Sequence, residues 1–247
     1  TVDHVPLQLD DHLRRFYRSA KKIDIDIPMP FEELRAMVLD FCRKIDSPDA
    51  MAYVQATRGV GMRGHAYRFA GGTPSLWVWV KPDMLDPMDR SYKAITMEDT
   101  RYFHCDIKTI NLLPAVMANE KAMEAGCDEA IFHRGERVTE CSHSNVHILK
   151  NGTLYTAPCD ELILPGITRA HRIAQCREMG IPVIEEPFTV REMMEADEVF
   201  FTSASALCCR IEEIDGQKVG GRAPELIARI QKAAWDEALA EVRQING

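Results

Sequence analysis

The segment between residues 129 and 156 constrains the fold more than any other part of this chain. Four short runs of strand-forming residues follow one another there, at positions 129–133, 138–140, 145–149 and 153–156. Asn151-Gly152, between the last two runs, is the dipeptide most typical of a two-residue hairpin turn. The spacing predicts a β-meander.

The remaining chain adds helices and further strands. Apolar residues at helical spacing predict a helix to residue 22 after the N-cap Asp10, one from residue 31 behind Pro30, and helices at 112–126, 167–179 and 224–242. Thr189 and Glu192 form a capping box that opens one more short helix. Strands are predicted at 50–57, 76–80, 94–97, 198–202 and 209–214. This mixture of hairpins and crossover helices is typical of an α/β (α+β) protein.

A connector interrupts these patterns after the second strand. Pro82 and Pro87 lie in a stretch with neither a helical nor a strand pattern, which favours a linker between two structural units. We therefore expect a small α/β domain at residues 1–80, a linker at 81–90 and a larger domain at 91–247.

The composition favours small-molecule chemistry. The 247 residues carry a formal net charge of −8 with both signs interspersed, which argues against nucleic acid or an anionic membrane as the main partner. No apolar run approaches a membrane span and no signal-like start is visible, so the sequence suggests a soluble protein. The eight cysteines have no zinc-site spacing, so we expect reduced thiols in the cytoplasm and no metal.

Lys108 has a position that could serve chemistry. It lies in the segment 105–111, directly before a predicted helix. A lysine in a partly dry pocket loses its proton more readily than one in water, and the neutral amine is the form that attacks an aldehyde. Taken alone, a lysine is more often a solvated surface charge. The rest of the chain decides between these interpretations.

Three more motifs follow Lys108 in order. They are Glu140 with the loop Ser142-His143-Ser144-Asn145, then Gly166-Ile167-Thr168-Arg169, then Thr202-Ser203-Ala204-Ser205. A helix that begins behind a glycine offers backbone N–H groups and a positive dipole end to an anion. Together with Arg15, these motifs resemble the fold-type IV pyridoxal-phosphate enzymes, most closely the bacterial D-amino acid aminotransferases. The resemblance runs from about Leu9 to the last predicted helix, and several motifs at compatible spacings make it specific.

The resemblance implies a cofactor, pyridoxal 5'-phosphate, and a catalytic role for Lys108. Lys108 matches the Schiff-base lysine, which also moves a proton between the substrate α-carbon and the cofactor. Glu140 matches the carboxylate that pairs with the pyridine nitrogen, and Arg101 matches an arginine that keeps this carboxylate charged. Leu164 corresponds to an apolar residue packed against the ring. In isolation, each of these residues would also suit a surface ion pair or an ordinary core position.

The same resemblance implies how the cofactor phosphate is bound. Ile167 and Thr168 supply the helix N-terminus, and Arg15 supplies a fork of donors from the first helix. Ser203 and Ala204 complete the cup. Ala204 departs from the family, whose members often have a threonine there, so a hydroxyl contact is absent while the backbone N–H remains. His143 also departs from the usual serine, and we assign it no catalytic role.

Substrate choice depends on Arg63-Gly64-His65, which lies in a glycine-rich loop after Arg58. In the D-amino acid aminotransferases an Arg-x-His loop reaches across a dimer interface and binds the substrate carboxylate, a task for which a guanidinium and an imidazole are well suited. The resemblance therefore implies a homodimer with active sites at the interface. Two polar residues on a solvated loop are the alternative interpretation.

The family also has an N-terminal strand that supplies an aromatic hydroxyl to the substrate carboxylate. This chain starts at Thr1, without an initiator methionine and without that strand. We expect the native protein to be longer, with a small domain that includes these first strands and a pseudo-barrel as the larger domain. The retained Arg15, Arg63 and His65 favour this explanation over a decayed site.

The expected reaction is transamination between a D-amino acid, such as D-alanine, and a 2-oxo acid, such as 2-oxoglutarate. On the same fold, an (R)-selective amine transaminase, a branched-chain L-amino acid aminotransferase and an aminodeoxychorismate lyase remain open. A non-catalytic protein that keeps the fold as a binding module is the alternative from a different class.

Overall fold

The computed structural model describes residues 1–67 and 72–246; residues 68–71 and 247, which fall inside the two expected domains, lie outside the described residues. The described chain contains helices and strands in alternating blocks. The helices are α1 (Leu9–Lys22), α2 (Phe31–Lys44), α3 (Leu113–Glu124), α4 (Ile167–Glu178), α5 (Val190–Met194) and α6 (Pro224–Asn246). The strands are β1 (Ala50–Thr57), β2 (Ser75–Pro82), β3 (Tyr92–Glu98), β4 (Glu129–Arg134), β5 (Arg137–Cys141), β6 (Asn145–Lys150), β7 (Thr153–Thr156), β8 (Val183–Ile184), β9 (Glu198–Thr202), β10 (Cys209–Ile214) and β11 (Gln217–Lys218).

The chain divides into two compact units. One contains Thr1–Met84 and Ala238–Gly247, and the other contains Leu85–Glu237. The division after Met84 falls within the expected linker, while the end of α6 is grouped with the first unit. The assignment of 1–80, 81–90 and 91–247 as functional domains stays a prediction.

The first unit packs two helices on one face of a two-stranded sheet. β1 and β2 pair antiparallel, and Val54 and Val78 of this sheet contact a core formed by Leu13, Leu34 and Val38 of the helices. The expected N-cap at Asp10 was wrong. The N-cap is Gln8, whose backbone N–H donates to Glu241 Oε1 at 2.8 Å, and Asp10 lies inside the first turn, where a carboxylate still favours the helix dipole.

The second unit is built on one nine-stranded sheet. Its strand order is β5-β4-β3-β10-β9-β6-β7-β8, with β11 paired to β10. The strand β3 runs parallel to both β4 and β10. Between β3 and β4 the chain crosses over through α3, whose alanines at 115, 118 and 122 pack against Ala130 and Phe132.

The predicted meander was wrong in one connection. β4–β5 and β6–β7 are antiparallel hairpins as expected, and Asn151-Gly152 forms the second turn with positive φ at both residues. However, β6 pairs with β9 instead of β5. Hairpin signals are local, so they do not show which hairpins lie side by side in the sheet.

The short link between β5 and β6 requires a curled sheet. These strands lie five positions apart in the strand order, which in a flat sheet would separate them by about 24 Å. The chain from Cys141 to Asn145 spans at most about 14 Å. The sheet must therefore curl until the ends of β5 and β6 come close, as the hydrogen bond from Cys141 N to Ser144 O (2.8 Å) shows. The predicted two-domain α/β fold with a pseudo-barrel is thereby confirmed.

Candidate active site

A buried carboxylate lies where the curl brings β5 and β6 together. Glu140, near the end of β5, is 5% exposed and accepts hydrogen bonds on both oxygens. Arg101 Nη1 donates to Oε1, while Asn145 Nδ2 and the Leu164 backbone N–H donate to Oε2 at 2.9 and 3.0 Å. Burial raises the pKa of Glu140 to about 7, against the opposing charge and hydrogen bond of Arg101 and the hydrogen bond of Leu164.

Arg101 is itself held by a second buried carboxylate. Asp99 directly follows β3, and its Oδ1 accepts from the Arg101 backbone N–H (3.0 Å) and Nε (2.9 Å), while its Oδ2 accepts from Arg101 Nη2 at 2.9 Å. Burial opposes the charge of Arg101, yet Asp99 and Glu140 raise the pKa of its guanidinium above the ordinary value. Arg101 therefore stays charged between two carboxylates.

The start of α4 lies beside this carboxylate. Asn145 Nδ2 also donates to Leu164 O at 3.0 Å, which ties the Glu140 pocket to the residues that precede α4. Gly166 is the N-cap of α4, so the first N–H groups of the helix have no intrahelical acceptor. This end of α4 has the geometry of an anion-binding helix terminus.

The loop after β9 borders the start of α4. The Thr168 hydroxyl donates to Ser203 O at 2.8 Å, which joins two of the predicted phosphate-binding segments. Ser203 Oγ accepts from the backbone N–H groups of Ser205 (3.2 Å) and Ala206 (3.0 Å), so the loop is a tight turn closed by its own hydroxyl. Ala204 is exposed at the tip of this turn. The structure thus brings Ile167, Thr168, Ser203 and Ala204 together.

Lys108 is exposed on the loop between β3 and α3. Three residues earlier, the Cys105 backbone N–H donates to Glu161 O at 2.9 Å, which fastens this loop to the segment that leads to Leu164. Leu112, the predicted start of this helix, is the N-cap of α3, which begins one residue later at Leu113. The loop therefore lies against the same segment as Glu140, and its lysine is accessible.

Three predicted site residues belong to the first unit. Arg15 is buried on α1, with Nη2 at 3.5 Å from His12 Nδ1. Arg63 and His65 are exposed on the loop between β1 and β2. The base of this loop is fixed by Arg58, which donates to Asp24 O at 2.8 Å and stacks over the Tyr67 ring at 3.7 Å. The roles of Arg15, Arg63 and His65 stay predictions.

Comparison with known proteins identifies the family. Residues 1–214 match the family described as amino-transferase class IV. The chain belongs to the class IV aminotransferases. The resemblance found in the sequence is therefore confirmed, and the chain is an aminotransferase by family.

Individual class IV aminotransferases and related structures agree with this assignment. A D-alanine aminotransferase of Bacillus licheniformis is 39% identical over 236 residues, which cover 94% of this chain and 83% of that protein. A branched-chain aminotransferase of Thermoproteus uzoniensis, crystallised with norvaline, is 29% identical with a TM-score of 0.76. The match covers 94% of this chain and 78% of that aminotransferase. A Legionella pneumophila protein named as a candidate 4-amino-4-deoxychorismate lyase has a TM-score of 0.83, and the match covers 94% of this chain and 88% of that protein. Because the two are only 23% identical, this similarity shows the fold alone.

The sequence analysis missed two residues of this candidate site. Asn145 entered it only as part of a loop, and Asp99, two residues before Arg101, was given no role. A polar residue that opens a buried strand was the available signal for Asn145. For Asp99 the signal was the spacing of two residues from Arg101, whereas its contacts with Arg134 and Thr139 come from residues far along the chain.

The described residues contain neither a helix that could span a membrane nor a cluster that could hold a metal. No helix within residues 1–67 and 72–246 is both long and apolar enough to cross a membrane. Within the same residues, no group of three or more histidine, cysteine or acidic side chains could hold a metal ion.

Proposed function

We propose that this chain catalyses transamination between a D-amino acid, such as D-alanine, and a 2-oxo acid, such as 2-oxoglutarate, with pyridoxal 5'-phosphate. The observation that carries the proposal is the buried Glu140 carboxylate, which three donors fix beside the N-terminus of α4. The similarity to D-alanine aminotransferases at about 40% identity supports the substrate class.

The residues of the chain fit pyridoxal 5'-phosphate both at its pyridine nitrogen and at its phosphate. A pyridine nitrogen that carries a proton needs an anion, and Glu140 is a buried carboxylate with lone pairs fixed in direction. A phosphate needs N–H donors and positive potential, which the first turn of α4 and the Ser203–Ala204 turn supply. When bound, the cofactor supplies an aldehyde that bonds an amino group and a ring that withdraws electrons from the α-carbon.

Each of the candidate site residues then has one role. Glu140 holds the proton on the ring nitrogen, and Arg101 orients Glu140. Leu164, whose backbone N–H is bound to Glu140, offers its side chain to the ring face. Lys108 carries the amine that takes up and returns the α-carbon proton, and its exposed position gives it access to substrate. Ile167, Thr168, Ser203 and Ala204 bind the phosphate, and Arg15 retains its predicted phosphate contact.

Carboxylate recognition sets the substrate class. Arg63 and His65 lie two residues apart on an exposed loop that Arg58 fixes at its base. We assign to them the substrate carboxylate, in a homodimer where this loop reaches the partner subunit. This assignment favours amino acids over amines without a carboxylate.

An exposed apolar surface on α3 supports the homodimer. Six side chains of the loop before α3 and of its outer side are between 48% and 69% exposed: Ile110, Leu112, Leu113, Val116, Met117 and Met123. Exposed apolar side chains that lie together in this way mark interaction surfaces of proteins. The surface lies directly next to the Lys108 loop, and we assign it to contact with a second copy of the chain.

A half-reaction with separated enantiomers tests the proposed function. We expect D-alanine to convert the absorbance of the cofactor-loaded protein to that of the amino form, and L-leucine and L-glutamate to leave it unchanged. Borohydride should fix the cofactor to Lys108, and Lys108→Ala should abolish both results. Conversion by L-leucine alone would assign a branched-chain enzyme, and pyruvate release from aminodeoxychorismate without an acceptor would assign a lyase. A colourless protein without an adduct would be a binding module.

A further inference from the structure

The two buried carboxylates around Arg101 share its donors unequally. Asp99 accepts from the Arg101 backbone N–H, Nε and Nη2, whereas Glu140 accepts from Nη1 alone. The Asp99 side chain is fully buried and the Arg101 side chain is only 13% exposed. Two of the four hydrogen bonds that the guanidinium donates therefore go to Asp99, one goes to Glu140 and one goes to Leu162 O.

We propose that Asp99 is a positioning residue that offsets the charge of Arg101 and thereby keeps Glu140 basic enough to hold a proton on the ring nitrogen of the cofactor. This inference rests on the proposed function for its consequence in catalysis. Its electrostatic part concerns only Asp99, Arg101 and Glu140, and can be measured without substrate.

The charges support this role. Arg101 and Glu140 alone form a neutral pair, so a further positive charge on a ring nitrogen would be buried without compensation. With Asp99, the three side chains carry one net negative charge, which a protonated ring would neutralise. Arg134, which is more exposed than Arg101, contacts Asp99 and offsets part of that negative charge. Asp99 is ionised in this setting, because the hydrogen bonds and charge of Arg101 lower the pKa of its carboxyl although burial alone would raise it.

Besides Asn145, four other polar side chains of the described residues face Asp99, Arg101 or Glu140. Arg134 Nε lies 3.3 Å from Asp99 Oδ2 and its Nη2 donates to Arg101 O at 2.8 Å, with the side chain 21% exposed at the solvent side of Asp99. The thiols of Cys105 and Cys141 also face the pair, and burial raises the pKa of both, so they are neutral. Thr139 Oγ1 donates to Asp99 Oδ2 at 3.1 Å and carries no charge. Arg134 is thus the one other charge in direct contact with Asp99 among the described residues.

Two substitutions should shift Glu140 in opposite directions. Asp99→Asn removes the negative charge, so the pKa of Glu140 should fall by about half a unit or more. Arg134→Gln removes a positive charge beyond Asp99, so the pKa of Glu140 should rise. Thr139→Val keeps all charges and serves as the matched control, with no change in this pKa. The measurement is a ¹³C NMR titration of the side-chain carboxyls in the cofactor-free protein, with the Glu140 signal identified by its loss in Glu140→Gln.

A second measurement uses the protein loaded with ¹⁵N-labelled pyridoxal 5'-phosphate. In Asp99→Asn, the ring nitrogen should lose its proton at lower pH than in the unaltered protein. The rate constant of the D-alanine half-reaction should fall about tenfold, while the KM for D-alanine stays within about twofold. Asp99→Glu, which restores the charge, should recover part of the rate.

Different results would overturn the role of Asp99 and the proposed function. If Asp99→Asn raises the pKa of Glu140 or leaves it unchanged, or if both variants shift it in the same direction, the inference is overturned. Loss of thermal stability without any change in either titration would also overturn it, because Asp99 would then be only structural. A protein without D-alanine activity would refute the proposed function, whereas the carboxyl titration would still decide the role of Asp99. Should Asp99→Asn not fold, the upward shift expected in Arg134→Gln carries the test.

Discussion

The side-chain oxygen of Asn145 occupies the space that a Cβ atom on residue 166 would need. An ideal Cβ built on Gly166 would lie 2.0 Å from Asn145 Oδ1, far inside van der Waals contact. Asn145 cannot withdraw easily, because its Nδ2 bonds both Glu140 and Leu164. Glycine at the N-cap of α4 therefore lets the anion-binding helix end approach the buried carboxylate.

This contact predicts that Gly166→Ala destabilises the protein and weakens cofactor binding together. The alanine must displace Asn145, so we expect a loss of about 1–3 kcal/mol in the free energy of unfolding and about a tenfold weaker cofactor affinity. Denaturant unfolding and cofactor titration measure the two effects. In the double variant with Asn145→Ala the clash is removed, so the two losses should be less than additive. Strict additivity would show that the contact does not exist in solution.

Buried His147 predicts a loss of stability in mild acid. Its ring stacks on Phe200, Nε2 lies 2.9 Å from Thr202 Oγ1, and burial together with Arg169 and Arg172 holds its pKa well below the ordinary value. The unfolded chain takes up this proton near pH 6.5 while the folded chain does not. The stabilisation is therefore complete above about pH 6.5 and is lost as the pH falls, at up to about 1.4 kcal/mol per pH unit.

His147→Phe should remove this share of the pH dependence, although it also loses the Thr202 hydrogen bond. The measurement is the free energy of unfolding by denaturant between pH 7 and pH 5, compared with the unaltered protein. His104→Gln, on the exposed loop before Lys108, is the control that should leave the slope unchanged. A slope that is equal in all three proteins would contradict the prediction.

The sequence predicted the local parts of this structure well and the long-range contacts poorly. The capping box of Thr189 and Glu192, with Glu192 N donating to Thr189 Oγ1 at 3.1 Å, was predicted because all its atoms lie within four residues. Family motifs pointed to Glu140 and Thr168. The structure shows Glu140 bonded to Asn145 and Leu164, and Thr168 bonded to Ser203, while their roles stay predictions. The role of Asp99 was missed, because Thr139 and Arg134 approach it only after β3, β4 and β5 have paired. The pairing of β6 with β9 was missed for the same reason.

Carboxylate recognition predicts a selective effect at Arg63. Arg63→Lys replaces a two-pronged donor with a point charge, so the KM for D-alanine should rise about 10- to 100-fold. His65→Gln should have a smaller effect in the same direction. Steady-state kinetics with a 2-oxo acid acceptor measure both. An amine donor without a carboxylate is the control substrate, and its rate, however low, should not change. Equal losses for both donors would indicate that Arg63 does not bind the carboxylate.

The apolar surface of α3 predicts the oligomeric state. Val116→Asp places a charge in the middle of this surface, where a contact with a second copy would have to bury it. We expect the variant to be monomeric in light scattering coupled to size-exclusion chromatography and to lose activity. Arg191→Glu introduces a negative charge at an exposed position on α5, which contributes no residue to this surface, and should leave the dimer intact. A Val116→Asp variant that remains dimeric would assign the interface to another face.

The position of β10 between β3 and β9 determines when the scaffold can be completed during synthesis. A ribosome releases β3 long before β10, since more than one hundred residues separate them. At usual elongation speeds this delay is on the order of ten seconds. Throughout that interval the inner edge of β3 has no neighbour, so the nascent polypeptide exposes a strand edge that chaperones would have to shield. The late synthesis of β10, which joins β3 to β9, therefore also determines how long the nascent chain is prone to aggregation.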